Sequence, residues 1–278
     1  MSIQANLIRE PKGDYHYENL TVTSDDINDV TWCTMSNSKA CFTQEIINEL
    51  TTVLQNFSNK HQHKFFVLSS SSKSVFSFGG DLKLFSKLIR EQNKPALYFY
   101  MKQCIETLYS ISQLPGCERI ALVRGTAFGG GFEAALACDT IIAEKNAKFG
   151  FPDRLFNSFP GMGAYSYLTR RIEPTKAQQM IKSAKTYSAE ELYDMGIVDK
   201  LVADGDGYDA VYSHIQNYNR YSNSFNALKQ VFQSINPVNY DELLQIGELW
   251  VNTAMKLSEK DLGLMKRLAA SQANLVAR

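Results

Sequence analysis

The sequence predicts an α/β protein built around a largely parallel sheet. Apolar segments with strand character alternate along the chain with amphipathic segments of helical period. Such alternation is typical of strand–helix–strand crossovers, which place successive strands parallel to one another. In addition, two glycine-rich turns, at 75–82 (VFSFGGDL) and 128–133 (FGGGFE), each follow an apolar strand and precede a helix.

The predicted elements follow one another in a regular order. Two strands, at 20–23 and 30–35, are expected to be adjacent or to form a hairpin. A helix begins after Thr43, because the apolar residues that follow recur with a period near 3.6 and Gln44 and Glu45 stand in its first turn. The next elements are a strand at 65–68, helices between about 81 and 112, a strand at 119–123, the helix after the triple glycine and a strand at 140–143. From residue 161 onward the pattern is helical, except for a strand over 197–202.

Length and composition favour a single enzyme domain. A chain of 278 residues that is 44% apolar can bury a sizeable core. Lysine plus arginine and aspartate plus glutamate each number 29, so no net charge attracts nucleic acid or a membrane surface. No apolar run approaches the ~18 residues of a membrane span, so no membrane insertion is expected. The five cysteines are an odd number without CxxC spacing, which favours free thiols in a reducing cytoplasm.

The triple-glycine turn is the strongest functional signal. Without side chains, its backbone N–H groups can approach a ligand closely. Glu133 begins the following helix, and a second carboxylate, Asp153, comes after the next apolar segment. Backbone donors together with one or two acid/base groups are what chemistry through an enolate requires. A tight packing turn would look the same, but the second glycine turn, at Gly79 and Gly80, favours the catalytic interpretation because two turns can supply two converging donors.

Other catalytic motifs have little support in the sequence. The dinucleotide fingerprint GxGxxG, the phosphate-binding GxxxxGK[ST] and the GxSxG nucleophile elbow are all absent. His61 and His63 form an HxH pair, but no nearby carboxylate or cysteine completes a metal site, so no metal is predicted. Lys83, Lys87 and Arg90 can share one face of a helix, where they are either a solvated surface or contacts for a pantetheine phosphate or an acidic carrier protein.

These segments resemble the crotonase (enoyl-CoA hydratase/isomerase) superfamily. The resemblance is carried by 78–82 (FGGDL), by the triple-glycine turn with Glu133, and by 149–153 (FGFPD) through 159–163 (FPGMG). Longer strings are similar more narrowly to the bacterial diffusible-signal-factor synthases; they lie at 80–85, 88–91, 131–136 and 159–166, with shorter matches at 40–42, 250–251 and 253–255. The resemblance therefore covers nearly the whole chain.

The resemblance implies a particular architecture. Residues 1–223 would form a crotonase-type ββα spiral, and residues 224–278 a C-terminal helical subdomain that covers the active site. Proteins of this fold usually form trimers or dimers of trimers, so a homotrimer or hexamer is expected. The amphipathic segment 243–255 fits a helix over an acyl pocket and fits a subunit contact equally well.

The resemblance also implies roles for individual residues. Gly80 and Gly130 would donate backbone hydrogen bonds to a thioester oxygen, and Glu133 and Asp153 would exchange protons at the reacting carbons. The substrate would be an acyl chain carried as a thioester of coenzyme A or acyl carrier protein, with no further cofactor. The positions that match acyl-chain neighbours, although each is also an ordinary core residue, are Phe128, Met162, Trp250 and Leu268.

Two positions depart from the pattern of the signal synthases. Their second carboxylate is a glutamate, whereas this chain has Asp153, which is shorter by one methylene and so sets the carboxylate further back. Their usual leucine at the edge of the glycine turn is replaced by Phe128, which predicts a narrower or differently angled acyl tunnel.

The resemblance favours the first of three functions. The signal synthases dehydrate a 3-hydroxyacyl chain on acyl carrier protein and hydrolyse the thioester to release a cis-2-unsaturated fatty acid. An ordinary coenzyme A hydratase or isomerase would use the same site without releasing an acid. A binding protein would keep the fold without catalysis, and some members of the synthase family bind a membrane sensor kinase.

Overall fold

The structure, a computed structural model, describes residues 8–9, 15–36, 38–60 and 63–276. The strands are β1 (Ile8–Arg9), β2 (Tyr15–His16), β3 (Leu20–Asp25), β4 (Val30–Met35), β5 (Phe65–Ser70), β6 (Val75–Ser77), β7 (Glu118–Val123), β8 (Thr126–Phe128), β9 (Thr140–Glu144), β10 (Lys148–Gly150), β11 (Thr186–Ser188) and β12 (Lys200–Val202). The helices are α1 (Gln44–Lys60), α2 (Leu82–Arg90), α3 (Lys94–Ser112), α4 (Gly130–Leu136), α5 (Ala164–Leu168), α6 (Pro174–Ser183), α7 (Ala189–Asp194), α8 (Gly207–Arg220), α9 (Ser222–Ile235), α10 (Tyr240–Ala254) and α11 (Glu259–Val276). A 3-10 turn spans Pro152–Phe156.

The strands form two sheets. The larger has the order β1-β2-β3-β4-β5-β7-β9-β12, antiparallel from β1 to β4 and parallel from β4 to β12. The smaller has the order β11-β10-β8-β6, in which only β11 is antiparallel. The predicted α/β class with a largely parallel sheet is therefore confirmed.

A repeating unit relates the two sheets. Strands β5, β7 and β9 lie in the larger sheet, and each is followed at once by β6, β8 or β10 in the smaller sheet. After β6 and β8, helices lead back to the larger sheet, whereas the chain after β10 first adds β11 to the smaller sheet. This is the ββα spiral that the resemblance implied. Because β6, β8 and β10 have three residues each, they are too short to show a period in the sequence.

The parallel strands are buried on both faces, as expected for strands that are covered by other elements on either side. All residues of β5, β7 and β9 are buried. Within β5, Phe66 and Leu68 join the main core, while Phe65 and Val67 join a second core beneath α8. This double burial fixes the ends of β5 and β7, from which the chain continues through β6 and β8 into the glycine turns.

Most predicted elements are present, with shifted ends. Strand β4 has the predicted bounds and pairs with β3 as an antiparallel hairpin. The predicted helical region of 81–112 is two helices, because Asp81 caps α2 by accepting from the Lys83 and Leu84 amides and Asn93 caps α3. The prediction was wrong after residue 161, since β11 is a strand there, and the strand expected over 197–202 begins only at Lys200. Both strands lie at sheet edges, where pairing with a neighbour, not residue type, decides the structure.

The C-terminal helices differ in how they pack. Helix α10 lies against α3, and α11 lies against α2 and the 3-10 turn, so both reach the glycine turns. Helix α9, by contrast, buries none of its residues. A domain division at residue 223 stays a prediction; α9 begins one residue earlier, at Ser222, and residues 277 and 278 lie outside the described part.

Candidate active site

The two glycine turns lie in direct contact. Gly79 has a φ of +82°, and a Cβ atom there would overlap the Gly130 amide nitrogen. A Cβ on Gly130 would overlap the end of the Met162 side chain and lie 3.4 Å from the Gly80 nitrogen. Only glycine permits this approach, and the approach brings the Gly80 and Gly130 amides to one place.

Both glycines line a small cavity. The cavity has a volume of about 30 Å³, and Gly80 and Gly130 are among the residues that line it. Among the hydrogen bonds of the described residues, neither amide donates to a protein acceptor, although both residues are buried. In contrast, the Gly129 carbonyl accepts from the Phe132 and Glu133 amides and so closes the first turn of α4. Two buried N–H groups are thus left for a ligand oxygen, because buried donors are otherwise almost always paired.

Glu133 lies in the wall of the same cavity. It is 1% exposed, and its Oε1 atom accepts hydrogen bonds of 2.9 Å from the Met162 and Ala164 amides. The loop that supplies them turns at Gly163, whose φ of +121° favours glycine. Burial, with a smaller contribution from the nearby charge of Asp153, raises the pKa of Glu133 to about 8. Glu133 is therefore largely protonated at neutral pH.

Asp153 reaches this cavity in spite of its shorter side chain. It stands in the 3-10 turn after Phe151, and its Oδ2 atom is buried without a hydrogen-bond partner among the described residues. The residue as a whole is partly exposed, but the carboxyl group itself lies in the cavity wall beside Gly129. Burial raises the pKa of Asp153 to about 6. The two carboxyl groups thus hold about one proton between them near pH 7.

Three of the four predicted acyl-chain neighbours line the cavity. Met162 and Trp250 are buried there, and Leu268 joins them from α11. Phe128 is not among the lining residues; its ring lies 6.5 Å from the Phe78 ring, in a separate small cluster. Trp250 comes from α10, so both α10 and α11 contribute to the lining of the cavity.

Sequence reasoning missed two polar residues of this cavity. Tyr100, on α3, donates to the Phe42 carbonyl and accepts from the Asp81 amide, which fixes the turn after Gly80. Gln272, on α11, lies on both the cavity and a larger outer pocket. Gln272 could have been found from its position seven residues after Met265, because that spacing places a polar side chain on the apolar face of an amphipathic helix.

The outer pocket adjoins the cavity. It has a volume of about 350 Å³ and shares Gly80, Leu82 and Gln272 with the cavity. Lys39 and Lys83 line the outer pocket. Arg90, which the sequence also singled out on α2, forms an ion pair with Glu259 at 3.1 Å. The structure thus provides a small cavity beside a wider pocket that is lined by two lysines and one carboxylate, Asp81.

No metal site is formed by the described residues, because they contain no group of three or more histidine, cysteine or acidic side chains in suitable positions. His63 lies 2.7 Å from the Thr31 hydroxyl and 3.0 Å from Asp26 Oδ1. Its partner in the HxH pair, His61, lies outside the described residues. Within the described part of the chain, no helix is long and apolar enough to cross a membrane.

Comparison with known proteins agrees with this geometry. Residues 27–261 match the sequence model of the enoyl-CoA hydratase/isomerase family, and the chain belongs to that family. One relative, "Probable enoyl-CoA hydratase echA8" of Mycobacterium bovis, is 28% identical over 186 residues, which are 67% of this chain and 69% of the relative. The narrower similarity to the signal synthases is not part of what these matches establish.

Solved structures show the same fold. An enoyl-CoA hydratase from Mycobacterium avium subsp. paratuberculosis is similar with a TM-score of 0.74 at 20% identity, over 90% of this chain and 99% of the other. An enoyl-CoA hydratase from Bacillus halodurans gives a TM-score of 0.73 at 20% identity, over 94% and 99%. The crotonase fold implied by the sequence is therefore confirmed, and the chain is an enzyme of the hydratase/isomerase type.

Proposed function

We propose that this chain adds water reversibly to a 2-enoyl thioester, which is equivalent to dehydrating a 3-hydroxyacyl thioester. One observation carries the proposal: two buried carboxyl groups, with no basic side chain among the lining residues, share a small cavity with two unpaired backbone amides. This is the equipment for moving a proton at C2 and a hydroxyl group at C3 while negative charge develops on the thioester oxygen.

The amides of Gly80 and Gly130 stabilise that oxygen in the proposed mechanism. In the enolate-like transition state, charge moves from C2 onto the thioester oxygen, and each N–H donor lowers the barrier by roughly 2.7–4 kcal/mol. The amides are held by contact between the two turns, so they need no rearrangement when the charge appears.

Glu133 and Asp153 divide the proton transfers. In dehydration, the ionised carboxylate takes the C2 proton, while the protonated carboxyl gives its proton to the C3 hydroxyl. The C3–O bond then breaks, the C2–C3 double bond forms and water leaves. Hydration reverses each step. Either direction requires the pair to hold one proton, and the pKa values of about 8 and about 6 favour that state near pH 7.

A phosphopantetheine thioester suits the access route. The cavity of about 30 Å³ accommodates roughly one water molecule, so the acyl chain must displace apolar side chains such as Met162 and Leu268. The outer pocket provides Lys39 and Lys83, which fit a phosphate group on the carrier. Coenzyme A is the carrier that the family favours, no additional cofactor is proposed, and acyl carrier protein is the alternative.

A second candidate function is the release of a cis-2-unsaturated fatty acid, as in the signal synthases. The segments 80–85, 131–136 and 159–166 favour it, because they resemble that subgroup. The lining of the cavity contains no serine or cysteine, so hydrolysis would use water activated by a carboxylate. Water would add to the thioester carbon, and the C–S bond would break to leave a free acid and a thiol.

Asp153 provides the decisive experiment. With 3-hydroxyacyl-CoA and 3-hydroxyacyl carrier protein as substrates, Asp153→Asn should abolish dehydration and Asp153→Glu should remain active, while the exposed control Asp194→Asn on α7 should match the wild type. Mass spectrometry of free acids separates the two candidate functions. If the wild type and Asp153→Asn show equal background rates on both substrates, the catalytic proposal is wrong and a binding function replaces it.

Self-association is part of the proposal. Helix α9 exposes four large apolar residues at helical spacing, Leu228, Val231, Phe232 and Ile235. Leu249 of α10 is also exposed, whereas its neighbour Trp250 is buried. Helix α10 can therefore both cover the acyl pocket and contact another subunit. We propose that these faces lie between subunits of a trimer or hexamer. Light scattering of Val231→Lys should then show a smaller species. A cytoplasmic location is a further proposal, from the odd number of cysteines without CxxC spacing, and a sensor-kinase partner is one from the resemblance.

A further inference from the structure

Gln272 is a polar residue at an apolar position. The buried face of α11 includes Leu262 and Met265, and Gln272 follows Met265 by two helical turns. Gln272 is only 8% exposed, yet its Nε2 atom has no hydrogen-bond partner among the described residues. Leaving a buried amide unpaired is unfavourable, whereas leucine would complete the apolar face. The glutamine is therefore suited to a partner that arrives with a ligand.

The position of Gln272 indicates which part of the ligand it meets. Gln272 borders both the reaction cavity and the outer pocket, and the other residues common to both are Gly80 and Leu82. Glu133 and Asp153 line the cavity but not the outer pocket. A thioester whose oxygen meets the Gly80 amide and whose C2 and C3 atoms meet the carboxyl groups must therefore direct its sulfur past Gln272.

The chemistry of the carrier supplies a matching acceptor. In a phosphopantetheine thioester, two methylene groups separate the sulfur from an amide, and the carbonyl of that amide can accept one hydrogen bond. We propose that the Gln272 side-chain amide donates to this carbonyl and so positions the carrier at the entrance of the cavity. This inference rests on the proposed thioester function and adds a residue that recognises the carrier, distinct from the acid/base pair.

Two small substrates isolate the contact. The S-crotonyl thioester of N-acetylcysteamine contains the amide, and the S-crotonyl thioester of pentanethiol replaces the amide with methylene groups. The wild type should prefer the first in kcat/KM by about tenfold, chiefly through KM, because one neutral hydrogen bond contributes that much. Gln272→Leu and Gln272→Met, which both remove the donor, should abolish the preference. The exposed control Gln178→Leu on α6 should retain it.

Binding gives a readout that does not depend on turnover. By calorimetry, acetyl-CoA should bind Gln272→Leu about tenfold more weakly than the wild type, and the melting temperature of the unliganded variant should not fall, because leucine fits the apolar face. If Gln272→Leu lowers kcat/KM equally for both small substrates, or if it binds acetyl-CoA as tightly as the wild type, the proposed role of Gln272 is wrong. If the wild type converts no thioester but Gln272→Leu still weakens acetyl-CoA, the hydratase proposal fails and the carrier contact stands.

Discussion

Glu133 lies in α4 and Asp139 follows the end of that helix by three residues, yet the two carboxylates have very different surroundings. Glu133 is 1% exposed, whereas the Asp139 side chain is 18% exposed. Asp139 accepts hydrogen bonds of 2.6 Å from Arg119 Nε and from Lys229 Nζ. Burial would raise the pKa of Asp139, but attraction to Arg119 and Lys229 outweighs it and lowers the pKa. Glu133 has two backbone amides and a second acid nearby, so burial prevails and its pKa rises.

In the proposed mechanism, the difference separates a structural site from a reactive one. Asp139 is held as a carboxylate by Arg119 and Lys229, and Lys229 of α9 also donates to the Cys117 carbonyl at the start of β7. Glu133 and Asp153 lack a cation among the residues that line their cavity, so they exchange protons at a pH where most carboxylates are fully ionised. Groups whose pKa values are shifted by burial into the neutral range are suited to acid/base catalysis, whereas paired groups are suited to holding elements together.

The largest expected effect is on turnover in Glu133→Gln. The amide keeps an oxygen that can accept from the Met162 and Ala164 amides, so the variant should fold, but it can no longer exchange a proton. Turnover of a 2-enoyl-CoA should fall by about 10²–10⁴-fold. A stopped assay of 3-hydroxyacyl-CoA measures this, and a folded variant with near-normal turnover would remove Glu133 from the mechanism.

Asp139→Asn should instead reduce stability. Arg119 is 4% exposed, and it would lose the charge that compensates its own. Breaking one partner of a buried pair costs about 3–5 kcal/mol of unfolding free energy. Urea unfolding followed by circular dichroism measures the loss, with the exposed Asp194→Asn as the control. A midpoint equal to that of the wild type would mean that the cluster does not stabilise the fold.

At alkaline pH, Glu133→Gln should be more stable than the wild type. The pKa of Glu133 is about 8 in the folded chain and near 4.5 when unfolded, so between these values the folded state binds more protons. The free energy of unfolding therefore falls as pH rises through this window, by at most roughly 1.4 kcal/mol per pH unit. Melting temperatures measured at pH 5 and pH 8.5 test this. Glu133→Gln should melt at a higher temperature than the wild type only at pH 8.5. An equal difference at both would contradict the raised pKa.

The rate of hydration should depend on pH in a bell-shaped manner. Below about pH 6 both carboxyl groups are protonated and no base remains, and above about pH 8 both are ionised and no acid remains. A plot of kcat/KM for a 2-enoyl-CoA should therefore peak near pH 7. A flat profile from pH 5 to 9 would show that the pair does not share one proton.

The smallest expected effect is that of Phe128→Leu. Its ring lies against Phe78, outside the residues that line the cavity, so it can shape the acyl tunnel only indirectly. Preference should shift toward longer or branched chains by no more than about tenfold in kcat/KM. Competition between a short and a long enoyl-CoA measures this shift. Leu268→Ala, which changes the lining itself, should have the larger effect, and the reverse order would show that Phe128 limits the tunnel.

The sequence by itself determined the alternation of strands and helices, both glycine turns and the two carboxylates, because each depends on local residue types and spacing. It could not reveal β6, β8 and β10, whose three residues form strands only by pairing with one another. It could not place Phe128 outside the cavity or bring Gln272 from α11 to Gly80. Nor could it give the pKa values of Glu133 and Asp153, which depend on burial and, for Glu133, on the nearby charge of Asp153. These properties arise from contacts between residues far apart in the chain, which only the tertiary structure brings together.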